Sequence, residues 1–218
     1  MQHIPFNEFL KRAELSRNDF GFPKLTRIRE VIALRELRRV LSVNSMPLPY
    51  LRKLLSKISI KGNRQLLVYE NCPFRLLHVD PTHLEVGQTF IERPNYISIL
   101  EDFPKLFGEF TISRGIANLT ALIVTGEDAD GTIVLAHYLP PIIENHGGKL
   151  ILMDGMHRNF IAKNIGATIE SIVIENVQTP FPCTTVGWDR VRVVDEKPKD
   201  LKDRFFDLKQ ELFRDVKS

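Results

Sequence analysis

Asp154-Gly155-Met156-His157-Arg158 is the stretch of this 218-residue chain whose residue types and spacing could do chemistry. Arg158 offers a planar fork of donors that fits a phosphoryl group, and His157 can donate from either ring nitrogen. Gly155 permits close backbone approach. The flanking residues say where the five sit. Leu150-Ile151-Leu152-Met153 reads as a short buried strand and Phe160 to Ile165 as one or two helical turns, with Gly166 where a left-handed C-cap would end them. The motif therefore occupies a strand-to-helix junction. There the first N–H groups of the helix lack intrahelical partners, and the helix dipole presents partial positive charge. Such a turn is suited to phosphate.

Pro141-Ile142-Ile143-Glu144 reads as a second apolar strand, joined to the first by the hairpin turn Asn145-His146-Gly147-Gly148, and Ser171-Ile172-Val173-Ile174 as a third strand after the helix. With its motif in this order of elements, the chain resembles the ParB/sulfiredoxin superfamily, whose nucleotide-binding core carries a Gly-x-His-Arg-type turn in that context. It is most similar to the free-serine-kinase-like and ParB-like branches, which show Asp-Gly-His-His-Arg where this chain has Asp154 to Arg158. Asp80-Pro81-Thr82-His83-Leu84 resembles the family's opening Asp-Pro-x-x-Leu segment. The likeness covers residues 75–178 and is sharp over 140–175.

The resemblance implies a nucleotide (ATP, ADP or CTP, with or without Mg²⁺) held at Gly155, Met156, His157 and Arg158. Asp154 has two competing roles. Its carboxylate could cap the helix, or it could act on a substrate hydroxyl or help hold Mg²⁺ beside the phosphates. Kinase-like members also use an upstream carboxylate as general base. The candidates are Glu85 and Glu92, the latter in Phe90-Ile91-Glu92-Arg93-Pro94 beside a Pro-bounded break. A surface ion pair between Glu92 and Arg93 is the plainer expectation.

Met156 decides a subfamily question. Sulfiredoxins carry their reactive cysteine at that position, and a thioether cannot be the thiolate nucleophile that their chemistry needs. The chromosome-partition branch shows a Gly-Glu-Arg-Arg-type turn followed by DNA-binding helices, whereas about 40 residues with one predicted helix follow the core here. Sulfinic-acid reduction and partition are both disfavoured.

Composition is that of an ordinary globular protein, 43% hydrophobic and 26% charged, with a net charge of +3 that gives no overall support to nucleic acid as partner. Cys72 and Cys183 stand alone, outside metal spacing, and read as reduced thiols. No run of 18 apolar residues exists and the first residues are no signal peptide, so a cytoplasmic protein is expected.

Residues 1–62 read as a basic helical segment. Ile28, Val31, Ile32, Leu34, Leu37, Val40 and Leu41 fall at helical spacing among Arg27, Arg29, Arg35, Arg38 and Arg39, and a second helix runs from Tyr50 to Ile58. Two short helices invite a helix-turn-helix reading, but solvated faces of amphipathic helices are the simpler one. Strands are expected at Gln65–Tyr69, Phe74–Val79, Leu119–Thr125 and Ile133–Tyr138, and a Pro104-kinked helix over 95–108. The acidic turn Glu127, Asp128, Asp130 is too short for an EF-hand and reads as a surface turn. His78, His83, His137 and His146 are scattered singly, and no metal site is assigned. After the linker 178–182 a strand is expected near Arg190–Val194, then a helical tail whose Leu201, Phe205, Leu208, Leu212 and Phe213 share a face.

The expected fold is α+β: a helical segment at 1–62, a small mixed sheet with short helices at 63–178, and a linker and helical tail at 179–218. The expected function is phosphoryl transfer between a nucleotide and a small hydroxylated acceptor. The alternatives are a non-catalytic nucleotide- or DNA-binding module, or a nuclease. Expected partners are the nucleotide and that acceptor, with DNA not favoured, no membrane, and a homodimer left open.

Overall fold

Two segments far apart in sequence, the mixed Val40 to Ser45 and the apolar Leu122 to Thr125, pair as neighbouring strands and draw the middle of the chain to its beginning. The computed structural model describes residues 3–20, 27–107, 115 and 118–216. The chain divides into two units: unit 1 comprises residues 1–58, 120–139 and 216–218, and unit 2 comprises 59–119 and 140–215.

Unit 1 contains β1 (Ile4–Pro5), α1 (Phe6–Arg12), β2 (Glu30–Val31), β3 (Arg39–Ser45), α2 (Leu48–Ser56), β9 (Leu122–Glu127) and β10 (Ile133–Tyr138). Its sheet runs β1-β2-β10-β9-β3, antiparallel except where β2 meets β10. β9 lies inside the sheet, between β10 and the edge strand β3, and is buried from Leu122 through Thr125, which suits its apolar run. α2 starts after Pro47 and carries Pro49 in its first turn, where the missing N–H has no partner to lose.

The helix expected over residues 28–41 does not form. That stretch holds β2, a 3-10 turn at Leu34–Glu36 and the start of β3. The apolar spacing fits both periods over so short a window, and β-branched Ile28, Val31, Ile32, Val40 and Val43 favour strand once β9 and β10 supply edges to pair with.

Unit 2 contains β4 (Ser59–Ile60), β5 (Asn63–Leu67), β6 (Phe74–Val79), β7 (Glu85–Val86), β8 (Phe90–Glu92), α3 (Arg93–Phe107), β11 (Ile142–His146), β12 (Lys149–Asp154), α4 (Met156–Asn164), β13 (Ile169–Ile174) and β14 (Arg192–Val194). Its main sheet runs β6-β13-β11-β12-β7, mixed in direction. Register places Val173, Ile143, Leu152 and Val86 in one row across four strands, and these join Val79 and Leu84 in a buried cluster. Met156 and Trp188 pack on that cluster, so α4 begins on this face. α3 continues through Pro104 to Phe107, and residue 108, its expected end, lies outside the described residues.

The fold is α+β, as expected. The tail differs from expectation in part: the strand expected near Arg190–Val194 forms as β14, but among the described residues beyond it there is no α-helix, only 3-10 turns at Leu201–Asp203 and Gln210–Leu212. The tail is tied down instead by isolated backbone bridges, with the Phe205 and Phe213 rings packed edge to face at 5.4 Å. Phe205 and Phe206 bridge to Gln88 and Thr184, and Arg214 bridges to Ile60. No helix among the described residues is long and apolar enough to cross a membrane.

Candidate functional site

β12 ends at Asp154, and the chain turns at Gly155 with φ +93° before entering α4. Only glycine takes that left-handed backbone without strain. The turn is also crowded, since a Cβ on Gly155 would lie 2.8 Å from the Pro141 Cβ and 2.9 Å from its Cα. At the far end Gly166, with φ +66°, follows the last turn as the sequence predicts.

Gly155, not Asp154, is the N-cap residue, and no side chain caps α4. The capping role open to Asp154 is therefore not the one adopted. Its half-exposed carboxylate accepts a hydrogen bond from the Arg158 Nη2 at 3.3 Å, one helical turn away. Arg158 itself is largely enclosed, with 12% of its side chain exposed, so its guanidinium is held beside the turn and not spread into solvent. The helix end without a side-chain cap and this guanidinium, paired with Asp154, thus stand side by side, and both are groups of the kind that hold phosphate oxygens.

His157 lies on the side of α4 that faces β8. Its Nε2 accepts the Glu92 backbone N–H at 3.3 Å. An accepting Nε2 leaves the proton on Nδ1, which makes the ring a neutral donor from its other nitrogen. Burial pushes the His157 pKa below its ordinary value, against the opposing pull of the Glu92 and Asp154 carboxylates and with help from the Arg158 charge. Met156 is turned away, packed on the buried cluster.

Glu92 ends β8, where parallel pairing with β14 fixes the strand, and α3 packs on α4. The Glu92 carboxylate thus lies near enough to His157 to act on its titration. The ion pair expected between Glu92 and Arg93 is not the one formed: Arg93 Nε donates to Asp195 at 2.7 Å. Glu85 sits elsewhere. Its carboxylate takes the Lys149 ammonium at 2.7 Å and the Thr185 hydroxyl, at the β7 edge of the sheet. Of the two carboxylates weighed as an upstream base, only Glu92 comes to the turn.

Sequence reasoning missed Asn159, which is buried in α4 and donates from Nδ2 to the Gly155 carbonyl at 3.1 Å. An Asn four residues after the motif's glycine is the signal that was available. It also missed a buried polar group on the opposite sheet face. There Glu144 accepts from Arg214 Nε at 2.8 Å and Nη2 at 2.9 Å, from the Tyr69 hydroxyl, and from His146 Nε2 at 2.7 Å. Burial alone would raise the Glu144 pKa, but the bonds from His146 and Arg214, the Arg214 charge and the Tyr69 bond outweigh it, so the carboxyl lies below its ordinary value.

The remaining residues fall into structural places. Asp128 spends its carboxylate on the N–H groups of Asp130 and Thr132, both at 2.9 Å. Trp188 donates to the Pro81 carbonyl at 2.6 Å. Cys72 and Cys183 are free thiols, and no group of three or more His, Cys, Asp or Glu among the described residues could hold a metal ion.

No family model, no curated protein and no solved structure matches the chain. What the site can do is read from its own residues: an uncapped helix end, an enclosed arginine, a neutral histidine donor and two carboxylates around one turn.

Proposed function

We propose that the turn at Asp154–Arg158 binds the phosphates of a nucleotide and that the chain moves a phosphoryl group between that nucleotide and a small hydroxylated acceptor. The observation that carries this reading is the meeting of Glu92, from β8, with His157 and Arg158 at an uncapped helix N-terminus. The resemblance to the kinase-like branch of the ParB/sulfiredoxin superfamily points the same way. The nucleotide is ATP, ADP or CTP. Any Mg²⁺ would be held chiefly by the nucleotide's own phosphates, since it is commonly bound by one or two carboxylates plus substrate oxygens.

In this mechanism the first-turn N–H groups, the Arg158 guanidinium and the His157 Nδ1–H hold the phosphate oxygens and spread the charge that builds up during transfer. Glu92 takes the acceptor's hydroxyl proton. The acceptor oxygen bonds to the terminal phosphorus while the bond to the bridging oxygen breaks, and the shortened nucleotide leaves with that electron pair. Asp154 keeps Arg158 in place.

The test is nucleotide-dependent melting. Ligand at a hundred times its dissociation constant stabilises by about 2.7 kcal/mol, which raises the melting temperature by several degrees. Arg158→Ala should abolish the rise. If ATP, ADP and CTP all leave the wild-type transition unmoved, with and without Mg²⁺, the phosphate reading is wrong.

The second reading is a non-catalytic nucleotide-binding module, which applies if Glu92 is not a base, because Asp154 is poorly placed to replace it. A carboxylate engaged by a guanidinium, as Asp154 is by Arg158, is a poor base. The substitutions Glu92→Gln and Asp154→Asn separate the readings, assayed as nucleotide turnover against a panel of small alcohols and hydroxy acids. With Glu92 as base, its amide variant loses turnover by roughly a hundredfold or more and still binds nucleotide. Turnover absent from the wild type, with binding intact, would select the module.

A further inference from the structure

Asn159 is fully buried in α4. Its backbone N–H and its side-chain Nδ2 both donate to the Gly155 carbonyl, at 3.0 and 3.1 Å. A helix needs only the first of these. The other end of the same amide, Oδ1, is the one buried side-chain polar atom among the described residues with no hydrogen-bonding partner. Burying an acceptor without a donor is destabilising. A residue selected for packing alone would be apolar here.

The peptide geometry says what the second hydrogen bond achieves. The Gly155 carbonyl and the Met156 N–H belong to one planar trans unit and point in opposite directions. Two donors holding the carbonyl toward the body of α4 therefore aim the Met156 N–H out of the helix's N-terminal end, which no side chain caps. Pro141 packs against Gly155 from the other side and limits how far the unit can rotate.

We infer that Asn159 is the positioning residue of the turn, aiming the Met156 N–H at an oxygen of the bound phosphoryl group. Its unpartnered Oδ1 is stability given up for that aim. The inference rests on the phosphate reading of the turn but makes its own prediction, because a residue that merely stabilised the helix would cost stability when replaced.

Asn159→Leu, which keeps the branched outline with bulkier methyl groups, and Asn159→Ala are to be compared with the wild type by calorimetric titration with ADP and by thermal melting without ligand. Both variants should melt close to the wild-type temperature, release of the orphaned Oδ1 offsetting the altered packing, and their ADP dissociation constants should rise about tenfold. Wild-type affinity in both would overturn the inference and leave the phosphate reading standing. A loss of affinity matched by a fall in melting temperature would also overturn it, making Asn159 a structural residue. If the wild type itself binds no ADP, both fall together. Should either variant fail to fold, amide NMR of the wild type decides: on ADP addition the Met156 amide proton should be among those that shift most downfield, and a Met156 signal that stays put while ADP binds overturns the inference.

Discussion

At residue scale, Gly155 satisfies two demands that no other residue meets together. Its φ of +93° is unfavourable for any side chain, and a Cβ would be driven into Pro141. Gly155→Ala should therefore cost about 2 kcal/mol or more, from strain plus overlap. It should also remove nucleotide-dependent stabilisation, because the repacked turn no longer presents its N–H groups. Chemical denaturation without ligand and melting with ADP measure the two losses separately, and an alanine variant of wild-type stability would show that the turn is not so constrained. The local part of this site was legible in the sequence. Asp154, His157 and Arg158 lie within five residues, so a strand-to-helix reading puts them on one turn. Glu92 came to it only by resemblance, because its arrival depends on β8 pairing with β14 and on α3 packing against α4. The true partner of Arg93, Asp195, is 102 residues away and left no local trace.

At element scale, the longer strands could be read because they are largely apolar runs ended by turn residues; β6 in unit 2 and β10 in unit 1 fall on the expected limits. The two helical misreadings have a common cause. Residues 28–41 and 201–213 carry apolar side chains at intervals compatible with a helix, but each segment is anchored by distant partners that no window contains. For the tail the anchor is Arg214. Its Nε and Nη2 take Glu144, and its remaining donors take the carbonyls of Thr179, Pro180 and Leu212 at 3.0, 2.9 and 2.7 Å. A buried ion pair gives little net stability over an apolar replacement, yet removing one member leaves a charge stranded. Arg214→Ala should thus destabilise by about 3–5 kcal/mol in urea unfolding. The double variant Glu144→Leu with Arg214→Met should recover much of that loss, since it buries no unpaired charge. A single variant within 1 kcal/mol of wild type, as for an exposed pair, would mean that the tail is not held by this contact.

At the scale of the whole molecule, the two units respond to acid through different chemistry. Unit 1 holds His137 between the rings of Phe9 and Tyr50, at centroid distances of 5.3 and 5.6 Å, with the Tyr50 hydroxyl bonded to its Nε2. Burial pushes its pKa down to about 4 from an ordinary 6.5. The unfolded chain therefore takes up the proton first as pH falls. Stability from this residue is complete above pH 6.5 and is lost progressively down to pH 4, by about 3 kcal/mol in all. In unit 2, Glu144 keeps its charge to lower pH than an ordinary carboxyl, so the Arg214 anchor persists across the same interval. His137→Gln, which keeps a polar group beside Tyr50 but cannot take up the proton, should lower the melting temperature at pH 7 and flatten its fall between pH 6.5 and 4. Circular dichroism follows the loss of structure, while emission from Trp188, the chain's one tryptophan, tells whether unit 2 follows unit 1. Parallel pH profiles for variant and wild type would show that His137 is protonated in the folded protein as readily as in the unfolded chain, and that the aromatic enclosure of unit 1 is not what holds it neutral.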